Sequence, residues 1–313
     1  MAFIRSATNL SDPAFAAEFD RVAAAATAHD DYQPFNEQAR FDLASGRRTP
    51  FLVTSGDADT HPGDADTGVV GAGIIGAGEL DLVIDPAARR LGHGGDALGR
   101  LLTDAPGDLR LWSHGDHPAA RALAERFGFA AERTLLQLRK DLTAAPPVPD
   151  GADPANPAHL AHPADGIVIE AFRPGTHDAD WVALNALVFA SHPEQGLITE
   201  QDLAARQAES WFDAGDFLLA REAASGRLLG YNWLKVEPGS PVGEIYVIGV
   251  HPDAAGRGLG RRLMQAGLDR LRERGCSTVD LYVEADSVAA VNLYRSLGFT
   301  DRTVDVQYHR HIR

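Results

Sequence analysis

The feature that most constrains the fold is a glycine-rich loop that occurs twice. Residues 83–94 read VIDPAARRLGHG, and residues 250–263 read VHPDAAGRGLGRRL. The loops repeat at an offset of 166 residues and a later Gly-Phe pair repeats at an offset of 170, which gives the matches Pro86/Pro252, Gly92/Gly258, Gly94/Gly260, Gly128/Gly298 and Phe129/Phe299. Two copies at so long a period indicate tandem domains and exclude a solenoid.

The chain has 313 residues, which suits two domains of about 150 residues each. Residues 143–166 are rich in proline and alanine and hold few large apolar side chains, so burial cannot stabilise them and they are predicted to form a linker. We therefore expect an N-terminal domain over 1–142 and a C-terminal domain over 167–313.

Charge and composition exclude several classes of protein. A net charge of −15 disfavours nucleic acid as a partner. No segment has the roughly 20 apolar residues that span a bilayer, and the N-terminus lacks the apolar run of a signal peptide. The single cysteine, Cys276, cannot form an internal disulfide and is expected to pack in a core. We expect a cytoplasmic protein that is a monomer.

Apolar periodicity and turn residues give both halves the same order of elements. Thr199 is a suitable N-cap, with Asp202 three residues later. The predicted helices are Pro13–His29, Pro118–Phe127, Thr199–Phe212, Arg261–Arg274 and Val288–Leu297, and a further helix is predicted to start within the first glycine loop. The predicted strands are Phe51–Thr54, Gly68–Ile75, Glu79–Ile84, Leu109–Ser113, Glu132–Arg139, Phe217–Glu222, Leu228–Val236, Gly243–Val250, Thr278–Glu284 and Thr303–His309. This order predicts an α+β fold, with a mixed central sheet flanked by helices in each half.

The second loop has the chemistry of a diphosphate site. Glycines at 256, 258 and 260 let successive N–H groups face one side without interference from a Cβ. Those N–H groups and the N-terminus of the next helix attract anions. A plain turn before a helix is the alternative. A Rossmann site fits less well, because Arg261 and Leu263 stand where that pattern would require a glycine.

Together these residues resemble the GNAT superfamily of N-acetyltransferases. The family's loop pattern, Q/R-x-x-G-x-G/A, is complete in Arg89–Gly94, whereas Ala255 stands at its first position in the second copy. The resemblance implies acetyl-CoA as the co-substrate and no metal. It implies cofactor contacts from the strand ends, the loops and the following helix, namely Leu82, Val83, Ile84, Arg89, Arg90, Leu91, Gly92, His93, Gly94, Ile248, Gly249, Val250, Ala255, Gly256, Arg257, Gly258, Leu259, Gly260, Arg261, Ser287, Val288, Ala289, Ala290, Val291 and Asn292.

The second half also carries the family's proton donor. Its Asn-x-x-Ala-x-x-x-Tyr-x-x-x-Gly-Phe pattern reads here Ser287, Ala290, Tyr294 and Gly298-Phe299. A phenol, with a reference pKa near 10, can protonate a departing thiolate. A tyrosine that only packs in the core is the alternative. Ala124 stands at the matching place in the first half, so we expect that half to bind cofactor without catalysis.

Glu244, on the strand before the second loop, is the candidate base for the acceptor amine; an exposed strand residue is the alternative. Nearly the whole chain is similar to the mycothiol synthase family, with strings such as GEIYVIGVHP over 243–252. That resemblance implies desacetylmycothiol as the acceptor and contacts to it from Glu37, Glu194, Lys235, Glu244 and Tyr282. Because Glu37 lies in the first half, the acceptor site is expected between the domains. The α-amine of its cysteine, with a pKa near 8, is easily deprotonated.

Two other functions fit the same residues. One is acetylation of a different amine, such as an aminoglycoside or a protein N-terminus. The other is a sensor that binds acetyl-CoA without turnover. A metal site is not expected, because the twelve histidines show no H-x-x-x-H spacing. The close pairs, including His309/His311, have no obvious third ligand in the sequence.

Overall fold

A computed structural model describes residues 1–56, 68–104, 107–143, 166–190 and 195–311. Most of the linker predicted over 143–166 lies outside the described residues. The chain forms two compact units. The first comprises Met1–Leu136, Glu284–Asp286 and Thr303–Arg313, and the second comprises Gln137–Val283 and Ser287–Arg302.

Numbered along the chain, the strands are β1 (Ala2–Ser6), β2 (Thr49–Ser55), β3 (Val69–Gly76), β4 (Glu79–Ile84), β5 (Leu109–Ser113), β6 (Ala130–Asp141), β7 (Ile167–Ala171), β8 (Phe217–Glu222), β9 (Leu228–Val236), β10 (Val242–Val250), β11 (Thr278–Glu284) and β12 (Thr300–Arg310). The α-helices are α1 (Pro13–Asp30), α2 (Glu37–Ala44), α3 (His93–Asp104), α4 (Pro118–Arg126), α5 (Asp178–Val188), α6 (Glu200–Gln207), α7 (Leu259–Glu273) and α8 (Val288–Ser296).

The first unit has a mixed sheet in the order β1-β2-β3-β4-β5-β12, in which β4 and β5 are parallel. Alternate residues of β2 enter two different cores: Phe51 and Val53 pack with α3, and Leu52 packs with α1. This alternation is the period of two expected for a strand buried on both faces. Helices therefore cover both sides of the sheet.

The second unit repeats this plan in the order β6-β11-β10-β9-β8-β7, in which β10 and β11 are parallel. One face is covered by an aromatic core, where the rings of Phe217 and Trp233 stack 4.4 Å apart. On the other face α7 buries Leu259 and Leu263 against Ala220 and Leu229. The predicted α+β class, with a mixed sheet flanked by helices in each half, is confirmed.

The last strand of each half, β6 and β12, is divided between the two units. Residues 306–310 of β12 pair antiparallel with β5, within the first unit, and Gln137–Asp141 of β6 belongs to the second unit. The two strands predicted last in each half, Glu132–Arg139 and Thr303–His309, are present, but neither belongs to one unit alone. The division of β12 follows from its pairing with β5, a long-range match that local patterns do not contain.

Most predicted elements agree with the structure to within two residues, and Thr199 caps α6 through a reciprocal pair of hydrogen bonds with Asp202. The prediction that this helix extends to Phe212 is wrong: it ends at Gln207, and Trp211 turns into the aromatic core. The prediction omitted β1, β7, α2 and α5. The first three are short and the last follows the linker, where the apolar pattern is weak.

Candidate active site

A wedge opens between the two parallel strands of the second unit. The paired register of β10 and β11 runs from Val242↔Thr278 to Ile245↔Leu281, although β10 continues to Val250. On its other side β10 stays paired with β9 as far as Val250↔Gly230. Beyond Ile245 the backbone of β10 therefore faces the wedge, and an extended ligand can pair with such an edge as an added strand would.

A bulge starts the wedge. The β9–β10 register shifts between Ile245 and Val247, so Tyr246 is an extra residue in β10. Bulges bend a strand and increase its twist, which separates it from a neighbour. Further along, Gly249 leaves room for a ring: a Cβ there would lie 2.7 Å from Cζ of Tyr231. Ile248, Gly249 and Val250, the predicted pantetheine strand, lie along the open edge.

The glycine loop lies at the end of β10. Gly256 and Gly258 have φ values of 75° and 76°, a conformation that favours glycine, and no atom of the described residues lies within 4 Å of where their Cβ atoms would be. Gly258 is the N-cap of α7. Gly260 packs closely, because a Cβ there would lie 3.6 Å from Leu293 of α8 and 3.7 Å from Val250. The loop, the strand end and α8 thus converge.

Basic side chains surround this loop, and Arg257 and Arg261 are exposed. The Arg261 guanidinium donates to Oγ of Ser296, 2.6 Å away. Ala255, which replaces the family's Gln or Arg, has an extended backbone after a short turn over Pro252–Ala254. Free N–H groups at the first turn of α7 and the nearby guanidinium groups can bind a diphosphate despite the acidic chain.

Tyr294 lies on α8, one residue after Leu293, and its side chain is buried. Burial raises the pKa of its phenol to about 12. The phenol is therefore protonated at neutral pH, as a proton donor must be. Its ring packs against Phe299 at 6.1 Å between centroids.

The N-terminus of α8 is exposed. Ser287 is its N-cap but its hydroxyl makes no capping hydrogen bond, and Val288 is 63% exposed. The other predicted contacts on this helix are Ala289, Ala290, Val291 and Asn292, of which Ala289 and Asn292 are exposed and Ala290 and Val291 are half-buried.

Three of the predicted acceptor residues lie on one face of the second unit's sheet. Glu244 on β10 pairs in register with Lys235 on β9 and with Asp280 on β11. Tyr282, two residues beyond Asp280, lies on the same face of β11 and is 45% exposed. The face therefore presents a carboxylate, an ammonium group and a phenol beside the wedge.

Aromatic groups that sequence reasoning assigned no role complete this face. The Lys235 ammonium lies over the rings of Trp211 and Tyr246, at 5.1 and 5.8 Å from their centroids. It also pairs with Glu237 at 3.2 Å. Arg206 donates through Nε to the Tyr246 hydroxyl at 3.1 Å. The neighbouring aromatic residues Trp211 and Phe212 are visible in the sequence, but only the fold shows which ring contacts Lys235.

The two remaining acceptor residues are elsewhere. Glu37 is an exposed residue in the first turn of α2, in the first unit, where Asn36 caps the helix. Glu194 lies outside the described residues. The structure thus brings Lys235, Glu244 and Tyr282 together. Contact of Glu37 and Glu194 with the acceptor stays a prediction.

The first unit carries the same loop and wedge. Its parallel pairing of β4 and β5 covers Glu79↔Arg110 and Leu80↔Leu111, and β4 then continues through Leu82, Val83 and Ile84. In the loop, Arg90 and Gly92 have φ values of 67° and 88°, matching Gly256 and Gly258. Leu91 is exposed, His93 begins α3, and Gly94 lies in its first turn.

The Arg89 side chain holds the first loop in place. Its guanidinium forms two hydrogen bonds with the Asp30 carboxylate, at 2.7 and 2.6 Å, and donates through Nε to the Ile84 carbonyl at 3.0 Å. The hydrogen bond that Arg89 donates to Asp30 raises the pKa of Arg89. This side chain is therefore an anchor for the loop backbone, and the methyl group of Ala255 cannot make these bonds in the second copy.

The first unit differs in its reactive groups. Ala124, at the place of Tyr294, is buried and has no proton to donate. Glu79 pairs with Arg48 at 3.1 Å, and the same guanidinium contacts Asp81 at 2.5 Å. Arg48 is only 1% exposed, so its charge is held inside the unit.

Comparison with known proteins decides the family. The Acetyltransferase (GNAT) family model matches residues 181–299. The mycothiol acetyltransferase of Clavibacter sepedonicus is 47% identical over 290 residues, which cover 92% of this chain and 90% of that protein. The chain belongs to the mycothiol acetyltransferase family. It is an acetyltransferase, and the GNAT and mycothiol synthase resemblances are confirmed.

Solved structures agree on the fold. A GCN5-related N-acetyltransferase from Sphaerobacter thermophilus has a TM-score of 0.70 at 21% identity and covers 100% of this chain and 96% of its own. A tandem GNAT protein from the clavulanic acid biosynthesis pathway has a TM-score of 0.70 at 19% identity, over 99% and 98% of the two chains. Members of the GNAT family use acetyl-CoA. None of the described helices is both long enough and apolar enough to cross a membrane.

Proposed function

We propose that the chain transfers the acetyl group of acetyl-CoA to the cysteine α-amine of desacetylmycothiol, which yields mycothiol and CoA. The observation that carries the proposal is the face formed by Lys235, Glu244 and Tyr282 beside the β10–β11 wedge. A polyol that bears an ammonium group needs such polar partners when it is buried. The family relationship over most of the chain supports the same acceptor.

The second unit is proposed to bind acetyl-CoA for turnover. The pyrophosphate would accept hydrogen bonds from the loop over Gly256–Gly260, with Arg257 and Arg261 supplying positive charge. The pantetheine would pair with the open edge of β10 at Ile248–Val250. Ser287, whose hydroxyl makes no cap bond, is available to it at the start of α8. The first loop, Arg89–Gly94, is proposed to bind a second acetyl-CoA that is not turned over.

Direct transfer needs three groups of this chain. Glu244 accepts the proton of the attacking amine, directly or through water, and the backbone N–H groups near Val250 stabilise the negative charge on the thioester oxygen. The new C–N bond forms as the C–S bond breaks, and Tyr294 donates its proton to the CoA sulfur. The raised pKa of Tyr294, about 12, keeps that proton available until the thiolate leaves. No covalent enzyme intermediate is required.

Release of CoA by the purified chain tests the acceptor. We expect desacetylmycothiol to be acetylated with a far higher kcat/KM than a plain amino sugar, an aminoglycoside or a peptide with a free N-terminus. Equal rates with the amino sugar would contradict the assigned acceptor and leave the acetyltransferase activity intact. A sensor would bind acetyl-CoA and release no CoA with any amine.

A further inference from the structure

The last strand of the chain brings two histidines beside an aspartate in the first unit. His309 on β12 pairs in register with Arg110 of β5, and Asp108 comes just before that strand. Nε2 of His309 lies 4.0 Å from Oδ2 of Asp108, and Nδ1 of His311 lies 3.6 Å from the same oxygen. The sequence contains the His309/His311 pair without an obvious third ligand, and the fold supplies one from a distant segment.

Glu132 fixes the tautomer of His309. Nδ1 of His309 lies 3.1 Å from Oε1 of Glu132. Arg110 donates through Nε to the other carboxylate oxygen, Oε2, at 3.1 Å. The carboxylate thus accepts from both neighbours, and Nδ1 of His309 carries the donated proton. A carboxylate in this position is the usual outer partner of a histidine that binds metal through its other nitrogen.

The other nitrogen of His309, Nε2, is buried beside the Asp108 carboxylate. The His309 side chain is 5% exposed, and within the part of the chain that the structure describes its Nε2 has no hydrogen bond. A buried polar atom without a partner is destabilising. Here the lone pair of Nε2 faces a carboxylate oxygen of Asp108. A cation bound between Nε2 and that oxygen would be a partner for both atoms.

The spacing of the ligand atoms suits a small transition-metal ion. One atom from each of Asp108, His309 and His311 lies within 4.8 Å of the others. Bonds of about 2.0–2.2 Å in a tetrahedral site separate ligands by about 3.4 Å, so a modest contraction is needed. The exposed side chains of Asp108 and His311 can make that adjustment. Two imidazoles and one carboxylate favour zinc-like ions over calcium or magnesium, which prefer all-oxygen sites.

We propose that Asp108, His309 and His311 bind one divalent transition-metal ion of the zinc type, with Glu132 orienting His309. The fourth position would hold water. The ion would join the end of β12 to the start of β5, and so fasten the final strand of the chain within the first unit. This role is separate from the acetyl transfer assigned to the second unit.

Equilibrium dialysis of the full, chelator-treated chain against Zn²⁺ tests the site. We expect one tightly bound zinc per chain, and at least a tenfold loss of affinity in Asp108→Asn and in His311→Gln, both exposed positions that should fold normally. Glu132→Gln should weaken binding by about 10- to 100-fold, as outer partners do. His251→Gln is the matched control and should leave binding unchanged, because His251 and Asp253 form a His–Asp pair at 3.7 Å that has no third ligand among the described residues.

A second readout separates this site from chance binding by other histidines. Thermal unfolding of the wild-type chain should shift upward with added Zn²⁺, and the shift should vanish in the Asp108→Asn/His311→Gln double variant. Absence of bound zinc in the wild type would overturn the proposal. So would zinc binding, or a thermal shift, that the double variant retains in full.

Discussion

Glu79 of the first unit and Glu244 of the second occupy equivalent places in their sheets. Each pairs across parallel strands, with Arg110 and Asp280 respectively, and each comes one residue before the last pair of the ladder. Their surroundings differ. Glu79 is bound to the buried Arg48, whereas Glu244 lies in register with Lys235 on a face that also presents Tyr282.

The comparison shows that duplication kept the backbone and changed the chemistry around it. Both units have the wedge and the two left-handed loop positions. Only the second has a phenol at the helix position next to the loop, since Tyr294 is matched by Ala124. In the first unit the ionisable groups beside the wedge form fixed internal pairs. We therefore expect substitutions beside the wedge of the first unit to alter stability, and substitutions beside the wedge of the second unit to alter kcat.

The largest effect is expected from Tyr294→Phe. Loss of a general acid lowers kcat by about 10²- to 10⁴-fold, with little change in the KM for acetyl-CoA. Tyr32→Phe is the matched control, because burial raises the pKa of Tyr32 to about 12 as well, but in the first unit. Steady-state CoA release measures both. An unchanged kcat in Tyr294→Phe would remove the assigned role.

Arg48→Met should have the next largest effect, which is a loss of stability. It leaves the buried Asp81 carboxyl and Glu79 without their cation, and breaking one side of a buried pair costs about 3–5 kcal/mol of unfolding free energy. The Arg48→Met/Asp81→Leu double variant should recover much of that loss. Urea unfolding of the wild type and the two variants measures these differences.

In the second unit the exposed Arg257→Met should have a different result. It should raise the KM for acetyl-CoA and leave the stability unchanged.

His114 should give the first unit a pH-dependent stability. Burial lowers the pKa of His114, but the Asp305 carboxylate 2.8 Å away outweighs it and raises that pKa above 6.5. A raised pKa means that the folded state binds the proton more tightly, so the contribution is complete below pH 6.5 and is lost as pH rises through the higher value.

His114→Gln should therefore remove the part of the unfolding free energy that the wild type loses as pH rises above 6.5. Urea unfolding at several pH values measures it. The same pH dependence in His114→Gln as in the wild type would show that the pair with Asp305 does not contribute.

The smallest effects concern the loop backbones. Arg90 adopts a left-handed conformation that suits glycine, so Arg90→Gly should stabilise the chain by about 1 kcal/mol or less. Gly256→Ala, at the matching position, should destabilise it by about 1 kcal/mol. Thermal unfolding measures both, and shifts of the same sign would contradict the equivalence of the two loops.

The sequence was sufficient to predict the two glycine-rich loops, because their glycines and the apolar strands before them are local signals. Most strand limits followed from the same patterns. Other features could not be predicted in this way, because each depends on which distant strands pair and in which register. They are the bulge at Tyr246, the buried Arg48–Asp81 pair and the proximity of Asp108 to His309. Glu79 was not recognised as the counterpart of Glu244, since the bulge shifts the offset between the copies by one residue.

The kcat of Glu244→Gln compared with that of Glu79→Gln tests most directly whether turnover belongs to the second unit. Desacetylmycothiol is the acceptor, near pH 7, where its α-amine still carries a proton. We expect Glu244→Gln to lower kcat by about 10- to 100-fold, less at higher pH where the amine is already neutral. Glu79→Gln should keep the wild-type kcat with reduced stability. An equal loss of kcat in the two variants, or a loss only in Glu79→Gln, would contradict this account.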